Sequence, residues 1–376
     1  MSAERYDVLV IGGGITGQCA ALAAAETGAR VAIVDFGVNA GSGANAGSLH
    51  VQMQSRFLRL NPHLADNLEN SLPLYLSAVT AWEALDARLG GVELVREGGL
   101  MLAETSDQVA FLSQKAERET RKGLDVDILD RAALERIAPY LAPEIRAAEL
   151  CRNEGKLNPL VANRKMTATL EGLGVARLTD RIARIEDTTS GIEATGSRTY
   201  RADLAIVAAA WGAGPLLAGA GLALQTPAEP LHMNITEPAA YGMPHLVQHA
   251  ERSITLKQFK SGQVVIGGGW PAGSRDTADT PRVLAESLAG NVALAGRIVP
   301  GISGLRVLRT WAGLNTPVDG KATIGPLKPG GRIHLALPGD AGYTLGPVVG
   351  RTAALNALSQ PTEIDVAPYS ADRFRA

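Results

Sequence analysis

The sequence predicts an α/β fold: a Rossmann-type nucleotide-binding domain, discontinuous along the chain, joined to an α+β part with a mixed sheet. Three observations carry this. A strand, glycine turn, helix, strand and acid follow one another over residues 6–35. A second strand, glycine turn and helix lie near the other end, over residues 332–358. Between them, residues 228–270 and 305–311 are strand-rich.

The first unit opens with Tyr6–Ile11, a short β-branched run of the kind that forms a buried strand. Gly12, Gly14 and Gly17 then satisfy GxGxxG. Gly12 permits the tight turn, Gly14 lets backbone approach a pyrophosphate, and Gly17 allows close helix–strand packing. An Ala-rich helix runs to Thr27 and is closed by Gly28. Its N-terminus, at Ile15 and Thr16, offers N–H donors and a positive dipole end to a phosphate. The second strand ends on Asp35, 18 residues after Gly17. That carboxylate suits a ribose 2′-OH and argues against a 2′-phosphate, hence against NADP. Phe36 follows it. The next loop, Gly37 to Gly47, carries no charge and little side-chain bulk, as backbone wrapping an extended dinucleotide would require.

The composition closes off other classes. Of 376 residues 46% are hydrophobic and 20% charged, too apolar for a disordered chain. The net charge of −2 leaves no basic surface for nucleic acid. Cys19 and Cys151 are too few for a metal cluster or a disulfide framework, so no metal site is expected. The first apolar run is broken by glycines and Glu26, which predicts neither a signal peptide nor a transmembrane segment, and a cytoplasmic location is expected.

The order strand–GGGITG–helix–strand–acid, followed by Ser42–His50 (SGANAGSLH), resembles the FAD-dependent amine oxidoreductases related to D-amino-acid oxidase and glycine oxidase. Within them it is similar to the β-type subunits of heteromeric opine (octopine or nopaline) oxidases, hydrogen cyanide synthase, hydroxyproline dehydrogenase and sarcosine oxidase. The resemblance implies non-covalent FAD, and makes Gly43, Ala44, Asn45, Ala46, Gly47 and Ser48 a flavin loop. It also implies a second flavin contact at Pro338–Pro347 (PGDAGYTLGP), through Gly339, Gly342, Tyr343, Thr344 and Leu345. There a helix, expected from Val348 to Leu358 with Pro347 in its first turn, would stabilise charge gathering at the flavin pyrimidine edge. Gly174–Glu186, with Ile182, resembles the strand that reaches the adenine, and Tyr200–Ala210 a late strand of the same sheet, with Ala209 and Trp211 in its closing turn.

The expected domains are residues 1–50, 151–222 and 320–376 for FAD, and 51–150 with 223–319 for the substrate. In the second part, Pro73 is expected to start a helix, Asp130 to cap a short one, and Thr280-Pro281 to open a long one ending near Ile298. The helices and strand expected between Pro73 and Pro139 read as scaffold without chemistry.

Relatives carry an Arg shortly after a Trp-x-Gly-Leu segment; here Trp311-Ala312-Gly313-Leu314 is followed by Asn315, which cannot form a bidentate charged clamp. A larger substrate with other anchors is expected. Candidate anchors are His50, Gln52, Gln54, Arg56 and Arg59, of which the first four alternate on one side of an extended segment. His232, Lys257 and Gln258 are expected on roof strands, Tyr343 beside the flavin, and Trp270 and Trp311 as pocket walls. The function expected is oxidation of a C–N bond in a secondary amine or imino-acid-like substrate, an opine favoured, by hydride transfer to flavin N5. The chain would act as the catalytic subunit of a hetero-oligomer, with FMN at a subunit interface left open. The alternatives are a stand-alone glycine or D-amino-acid oxidase and a flavin-binding scaffold or electron-relay subunit.

Overall fold

The computed structural model describes residues 5–38, 40–274 and 280–375. Asn39, within the expected flavin loop, lies outside the described residues. The chain begins β1 (Arg5–Ile11), α1 (Ile15–Glu26), β2 (Val31–Asp35), β3 (Ser48–Leu49), α2 (Ser55–Leu60) and α3 (Ala65–Arg88). It continues through β4 (Gly99–Ala103), α4 (Ser106–Arg121), β5 (Val126–Asp130), α5 (Arg131–Ile137), β6 (Ala147–Cys151), β7 (Gly155–Lys156) and α6 (Pro159–Gly172). Then come β8 (Ala176–Thr179), β9 (Arg184–Thr188), β10 (Gly191–Thr195), β11 (Thr199–Val207), α7 (Ala213–Ala218), β12 (Glu229–Pro238) and β13 (Leu246–His249). The last elements are β14 (Thr255–Gln258), β15 (Gln263–Gly267), α8 (Ala285–Ile298), β16 (Val307–Asn315), β17 (Thr323–Pro326), β18 (Ile333–Leu337) and α9 (Gly342–Ala357).

Two eight-stranded sheets organise the molecule. The first has the order β17-β18-β11-β1-β2-β8, with β10 and β9 added antiparallel beyond β11. Its β18, β11, β1, β2 and β8 are parallel neighbours. Covered on both faces, the inner strands read as continuous apolar runs rather than alternating ones, and Val8, Leu9 and Val10 are fully buried. Helices α1 and α9 lie against each other on one face. A Cβ at Gly350 would stand 2.2 Å from the Thr16 carbonyl oxygen, and one at Gly346 2.6 Å from Ile15 Cγ2, so only glycine permits the approach. The second sheet, β16-β12-β15-β14-β13-β4-β6-β5, is antiparallel except where β13 runs parallel to β4. It is the mixed sheet expected. Strands β12, β15 and β14 are antiparallel neighbours, turned at Gly262 with φ +94°. Asp130 caps α5 by accepting the Ala133 N–H at 2.8 Å. Among the described residues no helix is long and apolar enough to cross a membrane.

Four element boundaries differ from expectation. Helix α3 starts at Ala65, so Pro73 lies inside it. Pro73 is exposed, so the Glu69 carbonyl it leaves without a helical N–H can turn to water. The apolar stripe is Leu68, Leu72, Tyr75, Ala78, Trp82 and Leu85. Helix α8 starts at Ala285, because its N-cap Leu284 is extended (φ −108°, ψ 130°) and the Arg282 carbonyl before it is taken by the Gly273 N–H at 2.7 Å. Gly174–Glu186 is not one strand: β8 joins β2 while β9 turns away to pair with β10. Helix α9 starts at Gly342, and Pro347 sits within it. The Tyr343 carbonyl that loses a helical donor to Pro347 receives the Trp82 indole N–H at 3.2 Å, and the Thr344 carbonyl shares it at 3.0 Å.

Candidate active site

A cavity of about 770 Å³ lies where the C-terminal ends of the parallel strands meet the second sheet. This is where open α/β sheets bind ligands, and the volume falls in the upper part of the ~300–1,000 Å³ typical of cofactor sites. The first sheet contributes Gly12–Thr16, Asp35–Val38, Ala208–Gly212 and Leu337–Thr344; the second contributes Leu231, Met233, Lys257, Gly267–Gly269 and Asn315.

At one end, Asp35 accepts the Gly13 N–H at 2.6 Å and the Gly37 N–H at 2.7 Å, which fixes its carboxylate at the cavity wall. Gly12, at φ +108°, has no room for a Cβ: the Ala208 oxygen would be 2.4 Å away. The Arg181 guanidinium lies 3.8 Å from the Phe36 ring centre, beside Ile182 in the same wall. Ser42 is an addition to the expected residues: its Oγ accepts the Ile15 N–H at 2.8 Å and ties the Gly-rich loop to the start of α1. Its place in the Gly-rich loop was the available signal. Helices α1 and α9 both open towards the cavity, and neither has an acid in its first turn. The glycine cradle, the fixed Asp35 and two helix N-termini fit an extended dinucleotide with a pyrophosphate and a second electron-rich end.

Of the expected cofactor residues, Gly12, Gly14, Ile15, Thr16, Asp35, Phe36, Asn45, Ala46, Ser48, Ile182, Ala209, Trp211, Gly339, Gly342, Tyr343 and Thr344 line the cavity. Gly17, Gly43, Ala44, Gly47 and Leu345 are not among the lining residues. Gly17 lies beneath the turn, where a Cβ would be 1.9 Å from the Gly12 oxygen. Gly47 packs on the Leu157 carbonyl, Ala44 presents its carbonyl to the Trp311 indole N–H at 2.8 Å, and Leu345 is in the core.

The substrate residues divide more sharply. His50, Lys257 and Asn315 line the cavity. The strand β12 also contributes His232, but its ring bonds Asn234 at 2.9 Å, and Asn234 continues to Asn291 of α8 at 3.1 Å, so the imidazole belongs to the sheet–helix interface. The alternating row fails because extended backbone ends before Ser55, where α2 begins. Gln52 is buried and turned to Glu154 at 2.9 Å, and the Gln54 amide returns to the Gln52 carbonyl at 3.1 Å. Arg56 pairs with Glu229 at 2.9 Å behind Gly269, and Arg59 donates to the Ala250 and Glu251 carbonyls. Gln258 staples a turn, accepting from Gly242 at 2.9 Å and donating to the Ala240 carbonyl at 2.9 Å. The Tyr343 ring stacks on Trp82 with centres 5.3 Å apart, and its hydroxyl reaches Asn163, so only its backbone is left for the cavity. Trp270 bonds the Ser253 carbonyl and packs on Gly290 of α8; neither it nor Trp311 is a wall, a place taken by Trp211.

Lys257 donates to Ser48 Oγ at 2.7 Å, a contact set by the pairing of β3 with β7. Burial, reinforced by Lys156, pushes its ammonium down to about 7. Unfolded lysine titrates near 10.5, so the unfolded chain binds the extra proton between about pH 7 and 10.5. The resulting stability deficit is complete below that window and vanishes above it. Lys257→Met is therefore expected to be more stable than the parent near pH 7, by on the order of 2 kcal/mol after loss of the Ser48 bond, with the gap closing towards pH 10. Urea unfolding at both pH values checks this.

Cys19 and Cys151 are buried outside the cavity, and burial pushes both thiols up, away from reactivity. Among the described residues no cluster of His, Cys, Asp or Glu is arranged to hold a metal.

Residues 7–355 match the family described as FAD dependent oxidoreductase (DAO). The glycine oxidase of Geobacillus kaustophilus (strain HTA426) is 24% identical, over 98% of this chain and 97% of that protein. The N-methyl-L-tryptophan oxidase of Salmonella arizonae is 25% identical, over 98% and 99% respectively. Among solved structures, glycine oxidase from Geobacillus kaustophilus superposes with TM-score 0.86 at 22% identity, covering 99% of this chain and 100% of that one. L-proline dehydrogenase from P. horikoshii gives 0.82 at 21%, covering 99% and 98%.

Proposed function

Because this chain belongs to the DAO family of FAD-dependent oxidoreductases, its chemistry is oxidation of an amine or amino-acid C–N group with non-covalent FAD, and we propose that the substrate is a secondary amine of the opine kind. FAD supplies the hard step, taking two electrons from the substrate as hydride. What remains for the protein is to bind, orient, exclude water and place a proton.

The opine reading is supported by the wall around Asn315. Its Nδ2 donates to Glu229 Oε2 at 3.1 Å and to Asp340 Oδ1 at 2.6 Å, while Arg56 is paired with Glu229. Burial pushes the Asp340 carboxyl up, the Asn315 bond opposing it. Among the described residues this wall has no free cation to clamp an α-carboxylate; it suits a basic end, such as the guanidinium of an arginine-derived opine. Asp35 and Ser42 hold the dinucleotide end, and His50 and Lys257 face the reacting end. The division into an FAD part (1–50, 151–222, 320–376) and a substrate part (51–150, 223–319) belongs to the same reading. So does action as the catalytic subunit of a hetero-oligomer, which rests on the likeness of Ser42–His50 to such subunits.

Anaerobic mixing with octopine, nopaline, sarcosine, proline, glycine and D-alanine tests it. Bleaching of the flavin band near ~450 nm by an opine, and little by glycine, is expected. Bleaching by glycine or D-alanine but by neither opine would replace this reading with that of a simple amino-acid oxidase.

A further inference from the structure

The scaffold between β2 and α6 conceals a buried polar system that reaches the cavity. His50 is its outermost member. The His50 backbone N–H bonds the Thr344 hydroxyl at 3.1 Å, which fixes the residue against the start of α9. Its Nδ1 is enclosed, without a hydrogen-bond partner, 4.0 Å from Glu154 Oε1. Glu154 is completely buried. Its carboxylate accepts the Val51 N–H at 2.8 Å, the Gln52 N–H at 3.2 Å, and the amides of Gln52 and Gln248, each at 2.9 Å. On its far side only a glycine at position 99 leaves room for the carboxylate, since a Cβ there would stand 1.9 Å from Oε2. Behind it, Lys115 donates to Gln52 Oε1 at 3.1 Å.

A carboxylate taken out of water without a salt-bridge partner of its own is costly. Four donors and a histidine within reach are more than packing requires. We propose that Glu154 is the positioning residue of a histidine–carboxylate pair in which His50 takes the proton from the substrate ammonium, a role that rests on the amine-oxidation reading. Closing the 4.0 Å gap by about 1 Å makes an ordinary Nδ1–H···Oε1 bond. That bond fixes the tautomer and leaves Nε2 as the acceptor. The substrate N–H bond breaks, its electron pair stays on nitrogen, and the proton forms the Nε2–H bond. The neutral amine can then lose hydride from the adjacent carbon, the substrate being oxidised by two electrons and FAD reduced.

The other groups facing His50 are Lys257 from β14, the Thr344 hydroxyl from α9 and, through Gln52, Lys115 from α4. Burial, then Lys257, pushes the imidazole down to about 3, so His50 is neutral but a weak base in the resting site, and the closed bond to Glu154 is what raises its affinity for the substrate proton. Burial pushes Glu154 up to about 7, the hydrogen bonds from Gln52 and Val51 and the charge of Lys115 opposing. The pair is therefore sensitive to pH near neutrality.

Imidazole 15N NMR of the FAD-loaded protein, without substrate, tests the geometry; the His50 signals are those lost in His50→Asn. The result expected is the Nδ1–H tautomer in the parent, with a mixed tautomer and a lower His50 pKa in Glu154→Gln. With whichever amine bleaches the flavin, reduction near pH 7 is expected to slow about 10-fold in Glu154→Gln and about 100-fold in His50→Asn. The acid limb of its pH profile should move to lower pH in Glu154→Gln. An Nε2–H tautomer in the parent overturns the proposal even if Glu154→Gln fails to fold. An unchanged His50 spectrum and pH profile in a folded Glu154→Gln protein reduces Glu154 to a structural tie. The NMR result is independent of substrate, so a failed opine panel leaves it standing.

Discussion

Lys115→Met is expected to destabilise the fold by about 3–5 kcal/mol near pH 8, the usual cost of removing one partner from a buried ionic cluster. Lys115 Nζ contacts Glu119 at 2.8 Å and Glu149 at 2.9 Å, and all three side chains are sealed from solvent. Burial alone would push the ammonium down, but the two carboxyls carry it above the ordinary lysine value. Burial pushes Glu149 well above the usual carboxyl range, and its hydrogen bond with Glu119 adds to this, so Glu149 is the group that carries a proton. The sign of the pH dependence follows. A carboxyl with a raised folded value contributes stability that is complete below its unfolded value, near 4.5, and is lost as pH rises through the folded value. Without Lys115 that loss steepens, so the variant's deficit should be smaller at pH 5 than at pH 8. Methionine keeps the volume, and Lys122→Met, at an exposed contact with Asn70, is the control expected to cost under about 1 kcal/mol. Urea unfolding with saturating FAD at both pH values reads the effect; equal deficits for the two variants would contradict it.

Gly17→Ala is expected to weaken FAD binding by roughly 10- to 100-fold. The added methyl would stand 1.9 Å from the Gly12 oxygen and 3.2 Å from Val10 Cγ1, backbone and core that cannot fold aside. Overpacking of this kind costs about 1–3 kcal/mol, and each 1.4 kcal/mol is tenfold in affinity. The strain falls on the turn that cradles the pyrophosphate, so it appears as lost cofactor before it appears as lost fold. Gly28→Ala is the matched control: its φ of +90° makes the substitution locally strained, but nothing lies within 4 Å and the position is remote from the cavity. Fluorescence titration of the apoproteins with FAD distinguishes them. Equal affinities for Gly17→Ala and the parent would show that the α1 turn does not hold the cofactor.

The parts of this structure that were legible in the sequence depend on short-range rules. The Gly12–Asp35 unit, the Asp130 cap and the β12, β14 and β15 strands each follow from spacing, propensity or a turn residue. Pro347 lies within α9 rather than in its first turn because its cost is offset from far away: the Trp82 donor for the Tyr343 carbonyl comes from α3, and nothing local announces it. The row His50, Gln52, Gln54, Arg56 assumed extended backbone, and the start of α2 at Ser55 broke it. The acidic wall around Asn315 was half visible. The missing Arg could be read, but Glu229 and Asp340 lie 86 and 25 residues from Asn315 and meet only through the fold. Least legible is the segment that reads as scaffold. Lys115, Glu119, Glu149 and Glu154 look like ordinary surface charges in sequence, and only their common burial reveals an internal polar system.

The proposed oxidation of a secondary-amine C–N bond at FAD can be followed by isotope. Octopine deuterated at the carbons flanking its secondary nitrogen is mixed anaerobically with the FAD-loaded protein, and flavin bleaching is followed in a single turnover. Complete bleaching, several-fold slower than with unlabelled octopine, is expected, because the C–H bond breaks in the reducing step. No bleaching by octopine while glycine or D-alanine reduces the flavin, or bleaching indifferent to the label, would contradict it.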